Sequence, residues 1–184
     1  MEYEIYQPAE DSYLMIKAME IEIPKFINRF GILRLLEIGS GSGILLEAAN
    51  SLGIKKENIL GSDINKKAVE CCRKLGFKCI LSDLFESIPK QKFDFIIFNP
   101  PYLPLEEREP DVSKISTTGG KKGNELTLKF LKQCKRYLSD NGVILLITSS
   151  LSKRIDFKKL GFKTKKVLSQ NLFFEEITVW KLKF

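Results

Sequence analysis

The chain has 184 residues, of which 43% are hydrophobic and 29% charged, and it carries a formal net charge of +7. A chain of this length buries enough apolar surface for one domain covering residues 1–184 without covalent staples, and the composition excludes a disordered or low-complexity protein. No apolar run approaches the roughly 20 residues of a membrane-spanning helix, so we expect no membrane association.

A first helix is predicted at Glu10–Glu20, after which short apolar runs alternate with longer amphipathic stretches. The predicted strands are Leu33–Ile38, Asn58–Asp63, Lys78–Ser82, Phe93–Phe98 and Gly142–Thr148. The predicted helices between them are Ile44–Leu52, Lys66–Leu75 and Glu125–Leu138. This alternation is typical of a parallel sheet with helices on both faces.

The C-terminal segment breaks the alternation. Lys163–Leu168 and Glu175–Phe184 are predicted as two strands joined through Ser169-Gln170-Asn171, with no helix between them. Strands joined this closely pair antiparallel, because a parallel connection needs about a dozen residues or more. The predicted fold class is therefore α/β, with a mostly parallel seven-stranded sheet that ends in a C-terminal antiparallel hairpin.

The turn after the first strand is rich in glycine. Its spacing is Glu-x-Gly-x-Gly-x-Gly, formed by Glu37, Gly39, Gly41 and Gly43. A dinucleotide fingerprint would need a further glycine where the chain has Ile44. Glycine allows a ligand to approach the backbone closely, and the carboxylate favours a cationic, amino-acid-bearing ligand over a pyrophosphate. An ordinary tight turn is the alternative.

Two more carboxylates are expected at the same edge of the sheet. Asp63 ends the second strand, where it can accept hydrogen bonds from ribose hydroxyls. Asp83 follows the third strand, where it can accept from an adenine amino group while Leu84 covers the ring. Asp63 could instead be the N-cap of the next helix, a role for which Asn65 competes.

The sharpest motif is Asn99-Pro100-Pro101-Tyr102, directly after the fourth strand. The prolines stop the strand and fix the backbone. The Asn99 amide oxygen and the Pro100 carbonyl oxygen can accept both N–H bonds of a planar NH2 group, and Tyr102 offers that group a flat surface. Such a grip can align the nitrogen with a reactive group of the cofactor. A simple Asn-Pro turn is the alternative.

The connection Tyr102–Asn124 is unusually long and rich in Pro, Glu, Ser, Thr and Gly. Long loops at the carboxyl ends of parallel strands usually contact substrate, so we expect this loop to do so. A surface loop without that role is the alternative.

Metal and cysteine chemistry are not expected. Histidine is absent, and the four cysteines lack the Cys-x-x-Cys spacing of a zinc site. The polar, acidic N-terminus lacks the features of a secretory signal, and no disulfide spacing is evident, so we expect a cytoplasmic protein.

The positive charge is concentrated in the last third of the chain. Residues 121–184 contain 15 Lys and Arg against 5 Asp and Glu. This excess could contact RNA or an acidic surface, and solvated helix faces explain it equally well.

Together these motifs resemble the class I methyltransferases with an Asn-Pro-Pro-Tyr motif, whose fold is Rossmann-like. The resemblance is closer to the HemK-type protein-(glutamine-N5) methyltransferases in their compact archaeal or eukaryotic form. Three segments carry this closer likeness: Gln7–Ser12, Glu37–Gly43 and Gly119–Gly123. The chain departs from this family's pattern at Lys122, in the segment Gly119–Gly123, where the family more often has an acidic residue or asparagine.

The resemblance implies S-adenosyl-L-methionine as cofactor and, as acceptor, the glutamine of the Gly-Gly-Gln motif of a class I translation release factor. A small zinc-ribbon activator subunit is the implied partner. The implied cofactor-binding residues are Ser12, Glu37, Gly39, Gly41, Gly43, Asp63, Asp83, Leu84 and Asn99. The implied catalytic residues, which hold the acceptor amide, are Asn99, Pro100, Pro101 and Tyr102.

Three other functions remain to be compared with this one. An adenine-N6 methyltransferase acting on DNA or RNA could use the same four residues, since an adenine amino group is also planar, although the base would have to be flipped into the pocket. A catalytically silent binding scaffold would not need these residues. An NAD oxidoreductase is disfavoured by Ile44.

Overall fold

A computed structural model describes residues 4–105 and 117–184 of the chain. The helices are α1 (Glu10–Phe30), α2 (Ile44–Ser51), α3 (Lys66–Lys74) and α4 (Glu125–Gln133), with short 3-10 turns at Lys56–Asn58 and Cys134–Arg136. The strands are β1 (Leu35–Ile38), β2 (Ile59–Asp63), β3 (Lys78–Leu81), β4 (Phe93–Phe98), β5 (Leu138–Ser149), β6 (Lys163–Leu172) and β7 (Glu175–Lys183). Among these residues, none of the helices combines the length and apolar character needed to cross a membrane.

The seven strands form one sheet in the order β3-β2-β1-β4-β5-β7-β6. Neighbouring strands from β3 to β5 pair parallel, whereas β7 is antiparallel to both β5 and β6. The predicted mostly parallel sheet with an antiparallel C-terminal hairpin is therefore confirmed. The strand order reverses between β1 and β4, and loops that leave the carboxyl ends of two such strands diverge and leave a crevice.

Strand β4 shows why the central strands have continuous apolar sequences. Phe95 and Ile97 belong to the apolar cluster on the face covered by α1, α2 and α3. Ile96 and Phe98 alternate with them and belong to the cluster on the α4 face. All four side chains are at most 2% exposed. Because both faces of the sheet are covered, period-2 alternation is invisible in the sequence of this strand.

Helix α1 is longer than predicted, since it runs to Phe30 instead of ending at Glu20 and contains Pro24. A proline inside a helix costs about 3 kcal/mol, because it removes a hydrogen bond and crowds the preceding turn. Ile23 and Phe26, on either side of it, are buried. Burying each such side chain contributes about 1.5–3 kcal/mol, which offsets the proline and lets the helix continue.

The predicted turn of the C-terminal hairpin is wrong. Ser169-Gln170-Asn171 lies within β6 and pairs with β7, and the chain turns at Phe173 and Phe174 instead. β6 is the edge strand of the sheet, so polar side chains there face water and need no turn to expose them.

Strand β5 also begins earlier than predicted, at Leu138 rather than Gly142, and helix α4 ends at Gln133 instead of reaching Leu138. Leu138 is buried and pairs with Phe93 at the start of β4. An irregularity in the pairing follows, between Leu138 and Val143, and contains Gly142, where the strand was predicted to begin. Pairing with β4 therefore outweighs the helical periodicity of this segment.

Candidate active site

A cavity of about 250 Å3 lies at the carboxyl edge of the sheet, where it is lined by the segments that follow β1 and β4. Predicted site residues that line it are Ser12, Glu37, Gly39, Gly41, Asp63, Asp83, Leu84, Asn99, Pro100, Pro101 and Tyr102. Gly43 does not line it. This residue is the N-cap of α2 and has φ of 86°, and a side chain there would overlap with Leu75 and Cys72. Its role is to permit the close packing of α2 against α3.

Glu37 is the most deeply buried carboxyl group of the cavity wall, at 2% exposure. Its Oε2 atom has no hydrogen-bond partner among the described residues. Burial, with electrostatic contributions from Cys79 and Asp63, raises the pKa of Glu37 well above its ordinary value. Without a ligand, the site therefore holds an acid in surroundings that penalise its charge.

Asp63 ends β2 and reaches back to the glycine-rich turn. Its Oδ2 accepts a hydrogen bond from the Gly41 N–H at 2.8 Å, and its Oδ1 accepts from the Asn65 N–H at 2.7 Å. Asn65 is the N-cap of α3, since its Oδ1 accepts from the Lys67 N–H at 3.0 Å. Burial raises the pKa of Asp63. A carboxylate offers about four acceptor positions, so these backbone contacts do not exhaust its capacity to accept from a ligand.

Asp83 and Leu84 follow β3 at the far end of the cavity. The Asp83 Oδ2 atom lies 2.7 Å from Lys129 Nζ, an ion pair that joins the segment after β3 to α4. Leu84 is buried and has a left-handed backbone with φ of 48°, which is uncommon for a side chain of this size. Its carbonyl accepts a hydrogen bond from Ser82 Oγ at 3.0 Å, which helps to hold that conformation.

Asn99 begins the Asn-Pro-Pro-Tyr motif after β4. Its Nδ2 donates a hydrogen bond to Asp11 Oδ2 at 3.1 Å. Its Oδ1 is buried and has no hydrogen-bond partner among the described residues. Asn99 lines the cavity and carries an acceptor oxygen without a partner, of the kind that a ligand with N–H groups requires.

Asp11, in the first turn of α1, is a site residue that the sequence analysis missed. It is 5% exposed and accepts hydrogen bonds from the Ser12 N–H at 2.6 Å and the Tyr6 hydroxyl at 3.1 Å. The Tyr102 hydroxyl lies 3.5 Å from its Oδ2. The sequence analysis used Asp11 only as a member of the segment Gln7–Ser12, and an acid in the first turn of a helix is ordinarily explained by the helix dipole, so its role was not assigned.

The two tyrosines around Asp11 are donors at any ordinary pH. Burial, followed by the charge of Asp11, raises the phenol pKa of both Tyr6 and Tyr102 above its ordinary value. Tyr6 belongs to the segment 4–6, which lines the cavity and is tied to the rest of the site by a hydrogen bond from Asn65 Nδ2 to the Glu4 carbonyl at 3.2 Å. The sequence analysis also missed this segment.

The loop Gly119–Gly123 packs against the backbone of the Asn-Pro-Pro-Tyr motif. A Cβ atom on Gly119 would overlap with the Pro101 carbonyl, and one on Gly123 would overlap with the Tyr102 carbonyl. The Leu103 N–H donates to the carbonyl of residue 117, and the Leu103 carbonyl accepts from the Gly119 N–H, both at 2.9 Å. The loop thus supports the motif from behind. Residues 106–116 of the long connection lie outside the described residues.

Lys122, the departure from the resemblance, makes its contacts through the backbone. Its N–H donates to Glu125 Oε1 at 3.1 Å, and its carbonyl accepts from the Lys153 N–H at 2.8 Å. Its side chain is exposed. A lysine therefore leaves the loop's backbone contacts intact.

Two family models match the chain. The model of the "Eco57I restriction-modification methylase" family matches residues 74–181, which include the Asn-Pro-Pro-Tyr motif. The model of the "Methyltransferase domain" matches residues 36–109, which include the glycine-rich turn as well.

Curated relatives and solved structures agree with these models. The chain is similar to human "Methyltransferase HEMK2", with 30% identity over 79% of this chain and 72% of that protein. Its fold is similar to that of the structure of the E. cuniculi Mtq2–Trm112 complex, with a TM-score of 0.72, 22% identity and coverage of 100% of this chain and 99% of that one. The Rossmann-like methyltransferase fold is therefore confirmed.

The most informative match is to the "Putative protein N5-glutamine methyltransferase MJ0928" of Methanocaldococcus jannaschii. The two proteins are 36% identical over 97% of this chain and 93% of that protein. The match covers nearly the whole chain and not only one motif, and the chain belongs to the protein N5-glutamine methyltransferase family.

Proposed function

We propose that the protein transfers the methyl group of S-adenosyl-L-methionine to the glutamine side-chain amide in the Gly-Gly-Gln motif of a class I translation release factor. The observation that carries this proposal is the buried, unbonded Asn99 Oδ1 in the cavity wall. The acceptor is supported by a relative from Schizosaccharomyces pombe, "eRF1 methyltransferase catalytic subunit mtq2", 29% identical over 82% of this chain. Such an acceptor implies that the protein works in the cytoplasm.

The acceptor amide would be held through its two N–H bonds. Asn99 Oδ1 is available for one of them, and the carbonyl of Pro100, which lines the same cavity, would accept the other. As the N–CH3 bond forms and the S–CH3 bond breaks, positive charge develops on the amide NH2 group and these two oxygens would stabilise it. The sulfur would leave as a neutral thioether, and the nitrogen would release one of its two protons to water to give the neutral N-methyl amide. Tyr102 would cover one face of the planar group. Because orientation provides most of this effect, the absence of histidine from the chain is no obstacle.

The residues at the other end of the cavity fit S-adenosyl-L-methionine. The unpaired Glu37 Oε2 would accept from the ammonium of the methionine part, which is the cation that its surroundings lack. Asp63 would accept from the ribose hydroxyls, Asp83 and Leu84 would contact the adenine, and Ser12 lines the same wall. When bound, the cofactor supplies an electrophilic methyl group on a positively charged sulfur.

A small activator subunit is the proposed partner. The structure similar to this chain is that of a complex between Mtq2 and Trm112, described as responsible for methylation of the eRF1 translation termination factor. We infer that this chain assembles with a subunit of the same kind, a small zinc-ribbon protein.

A second candidate function is methylation of an adenine amino group in DNA or RNA. The match to the Eco57I restriction-modification methylase model favours it, because that match includes the Asn-Pro-Pro-Tyr motif. The acceptor base would have to leave its stack to reach Asn99, which places it in a class of substrate different from a protein loop.

One experiment compares the two acceptors. The purified chain, with and without a candidate zinc-ribbon subunit, is incubated with methyl-labelled cofactor and either a class I release factor, the same factor with its Gly-Gly-Gln glutamine changed to glutamate, or adenine-containing oligonucleotides. We expect label on the unaltered factor alone. Label on the oligonucleotides, with binding that weakens steeply as salt is raised, would establish the second candidate instead.

Asn99→Ala should separate transfer from cofactor binding. We expect the turnover number to fall at least ~100-fold, because the amide nitrogen loses one of its two fixed contacts. The cofactor dissociation constant, measured by calorimetry, should stay within about 3-fold, a change of less than ~1 kcal/mol. Weak cofactor binding together with retained turnover would contradict this assignment.

Asp63→Ala should have the opposite pattern. We expect the cofactor dissociation constant to rise ~10- to 100-fold, because hydrogen bonds to a charged acceptor contribute about 1.5–3 kcal/mol. The matched control is Asp140→Ala, which removes an exposed carboxylate near the opposite edge of the sheet and should leave the dissociation constant unchanged. If Asp63→Ala and the control have the same cofactor dissociation constant, Asp63 does not contact the cofactor.

Glu37→Gln should stabilise the ligand-free protein while it weakens cofactor binding. The pKa of Glu37 is raised in the folded protein, so above its ordinary value of 4.5 the unfolded chain ionises first and stability falls. The decline continues up to the folded-state pKa, with a slope of at most ~1.4 kcal/mol per pH unit. Thermal unfolding from pH 4 upward should show the wild type falling below the variant. If the stabilities of the wild type and the variant change in parallel with pH, ionisation of Glu37 does not destabilise the folded protein.

A further inference from the structure

We propose that Asp11 is a positioning residue that fixes the Asn99 amide with its oxygen, and not its NH2 group, directed to the acceptor. This inference rests on the proposed function and adds a residue to its machinery. Asp11 lies 88 positions before Asn99 in the chain, and the two side chains meet at 3.1 Å in the fold.

An asparagine amide has two ends of similar size and opposite hydrogen-bonding character. Rotation by half a turn would place the Asn99 NH2 group where the acceptor's own NH2 must bind, and two donors would face each other. An ionised carboxylate accepts hydrogen bonds only, so Asp11 can bond to the NH2 end and would repel the oxygen end. The observed contact, Nδ2 to Asp11 Oδ2, is the orientation that leaves Oδ1 free.

Asp11 is itself held in place. Its Oδ1 accepts from the Ser12 N–H at 2.6 Å and from the Tyr6 hydroxyl at 3.1 Å, and the Tyr102 hydroxyl approaches Oδ2 to 3.5 Å. All these neighbours are donors, so the carboxylate cannot be replaced by a donor group without losing several contacts. Asp11 is only 5% exposed, so water could not easily replace its carboxylate as the acceptor of these hydrogen bonds.

A reciprocal exchange of the two side chains tests the proposal by rescue. Asn99→Asp alone places two carboxylates in contact and should lower turnover on the release factor ~100-fold or more. In the double variant Asp11→Asn/Asn99→Asp, the amide introduced at position 11 can donate to the carboxylate introduced at position 99, whose second oxygen again faces the acceptor. We expect turnover at least ~10-fold above that of Asn99→Asp. A double variant no better than the product of its two single variants would overturn the proposal.

A second measurement needs no acceptor and therefore separates this inference from the proposed function. In protein labelled with 15N-asparagine, the Asn99 side-chain amide is identified as the NMR signal that Asn99→Asp removes. We expect slow solvent exchange in the wild type and at least ~10-fold faster exchange in Asp11→Ala. Unchanged exchange would overturn the positioning role, whereas a wild-type chain that labels no release factor would contradict only the proposed function.

A different observation concerns the surface beside the cavity. Phe173 and Phe174 form the turn between β6 and β7, and both side chains are essentially fully exposed. Phe173 has φ of 38°, in the left-handed region that favours glycine or asparagine in a hairpin turn. Two large apolar side chains thus occupy a turn that polar residues would form with less strain.

This aromatic turn is fixed at the edge where the cavity lies. Glu175, the next residue, lines the cavity and accepts a hydrogen bond from Ser149 Oγ at 2.5 Å. The Ser150 N–H donates to the Glu176 carbonyl, and the Glu176 N–H donates to Ser150 Oγ, both at 2.9 Å. The end of β5 therefore holds the turn beside the active site.

We infer that the aromatic turn of Phe173 and Phe174 is a docking surface for the acceptor protein. A protein that inserts a glutamine side chain as far as Asn99 must cover the rim of the cavity, and the turn is continuous with that rim through Glu175. Exposed aromatic side chains next to a site that receives a macromolecule are the kind that dominate binding energy when they are covered.

The test compares the double variant Phe173→Ser/Phe174→Ser with the control Ile32→Ser. Ile32 is 82% exposed and precedes β1, at the edge of the sheet opposite the cavity. Each is assayed on the intact release factor and on a short peptide that contains its glutamine. We expect the KM for the intact factor to rise ~10-fold or more in the double variant only, with the peptide unaffected. An equal rise of KM for both acceptors, or no rise for either, would overturn the docking surface. A change in the oligomeric state of the double variant, without a rise of KM, would also overturn it. A wild type inactive on both acceptors would contradict the proposed function itself.

Discussion

The parallel pairing of β1 with β4 is the constraint on which the active site depends. Ile38 pairs with Phe98, so the glycine-rich turn and the Asn-Pro-Pro-Tyr motif leave adjacent strands at the same level. Both strands are buried on both faces, and their register is fixed by hydrogen bonds that water cannot reach. The relative position of the two halves of the site is therefore set by the sheet, while the loops add only the local direction of each side chain.

The elements that the sequence predicted well are those whose pattern has a local cause. Phe93–Phe98 was predicted to the residue, because a continuous apolar run between polar segments leaves few other assignments. The glycines of the turn all have positive φ, which is why their spacing was informative. Helix α1 was predicted ten residues too short at its C-terminal end, and the burial that lets it continue past Pro24 comes from contacts distant in the sequence. Asp11 was missed for the same reason, because its partner Asn99 is identified only by the fold.

Two buried oxygen atoms without partners give the site its chemical character. Glu37 Oε2 and Asn99 Oδ1 belong to residues that line the same cavity, and an unpaired buried acceptor costs about 1–3 kcal/mol. Folded proteins pair nearly all such atoms. Under the proposed function a cation would satisfy the first and an amide the second, so the protein gives up stability at the two points where its ligands would supply hydrogen bonds.

The segment 4–6 has a practical consequence, because it is part of the cavity wall. An affinity tag or fluorescent protein joined upstream of it would be anchored beside the cavity and could obstruct it. The opposite end of the chain follows β7, which runs antiparallel to β5 and so finishes at the amino edge of the sheet. A fusion attached after Phe184 would therefore leave the chamber entrance open, which makes that terminus the one to immobilise in binding assays.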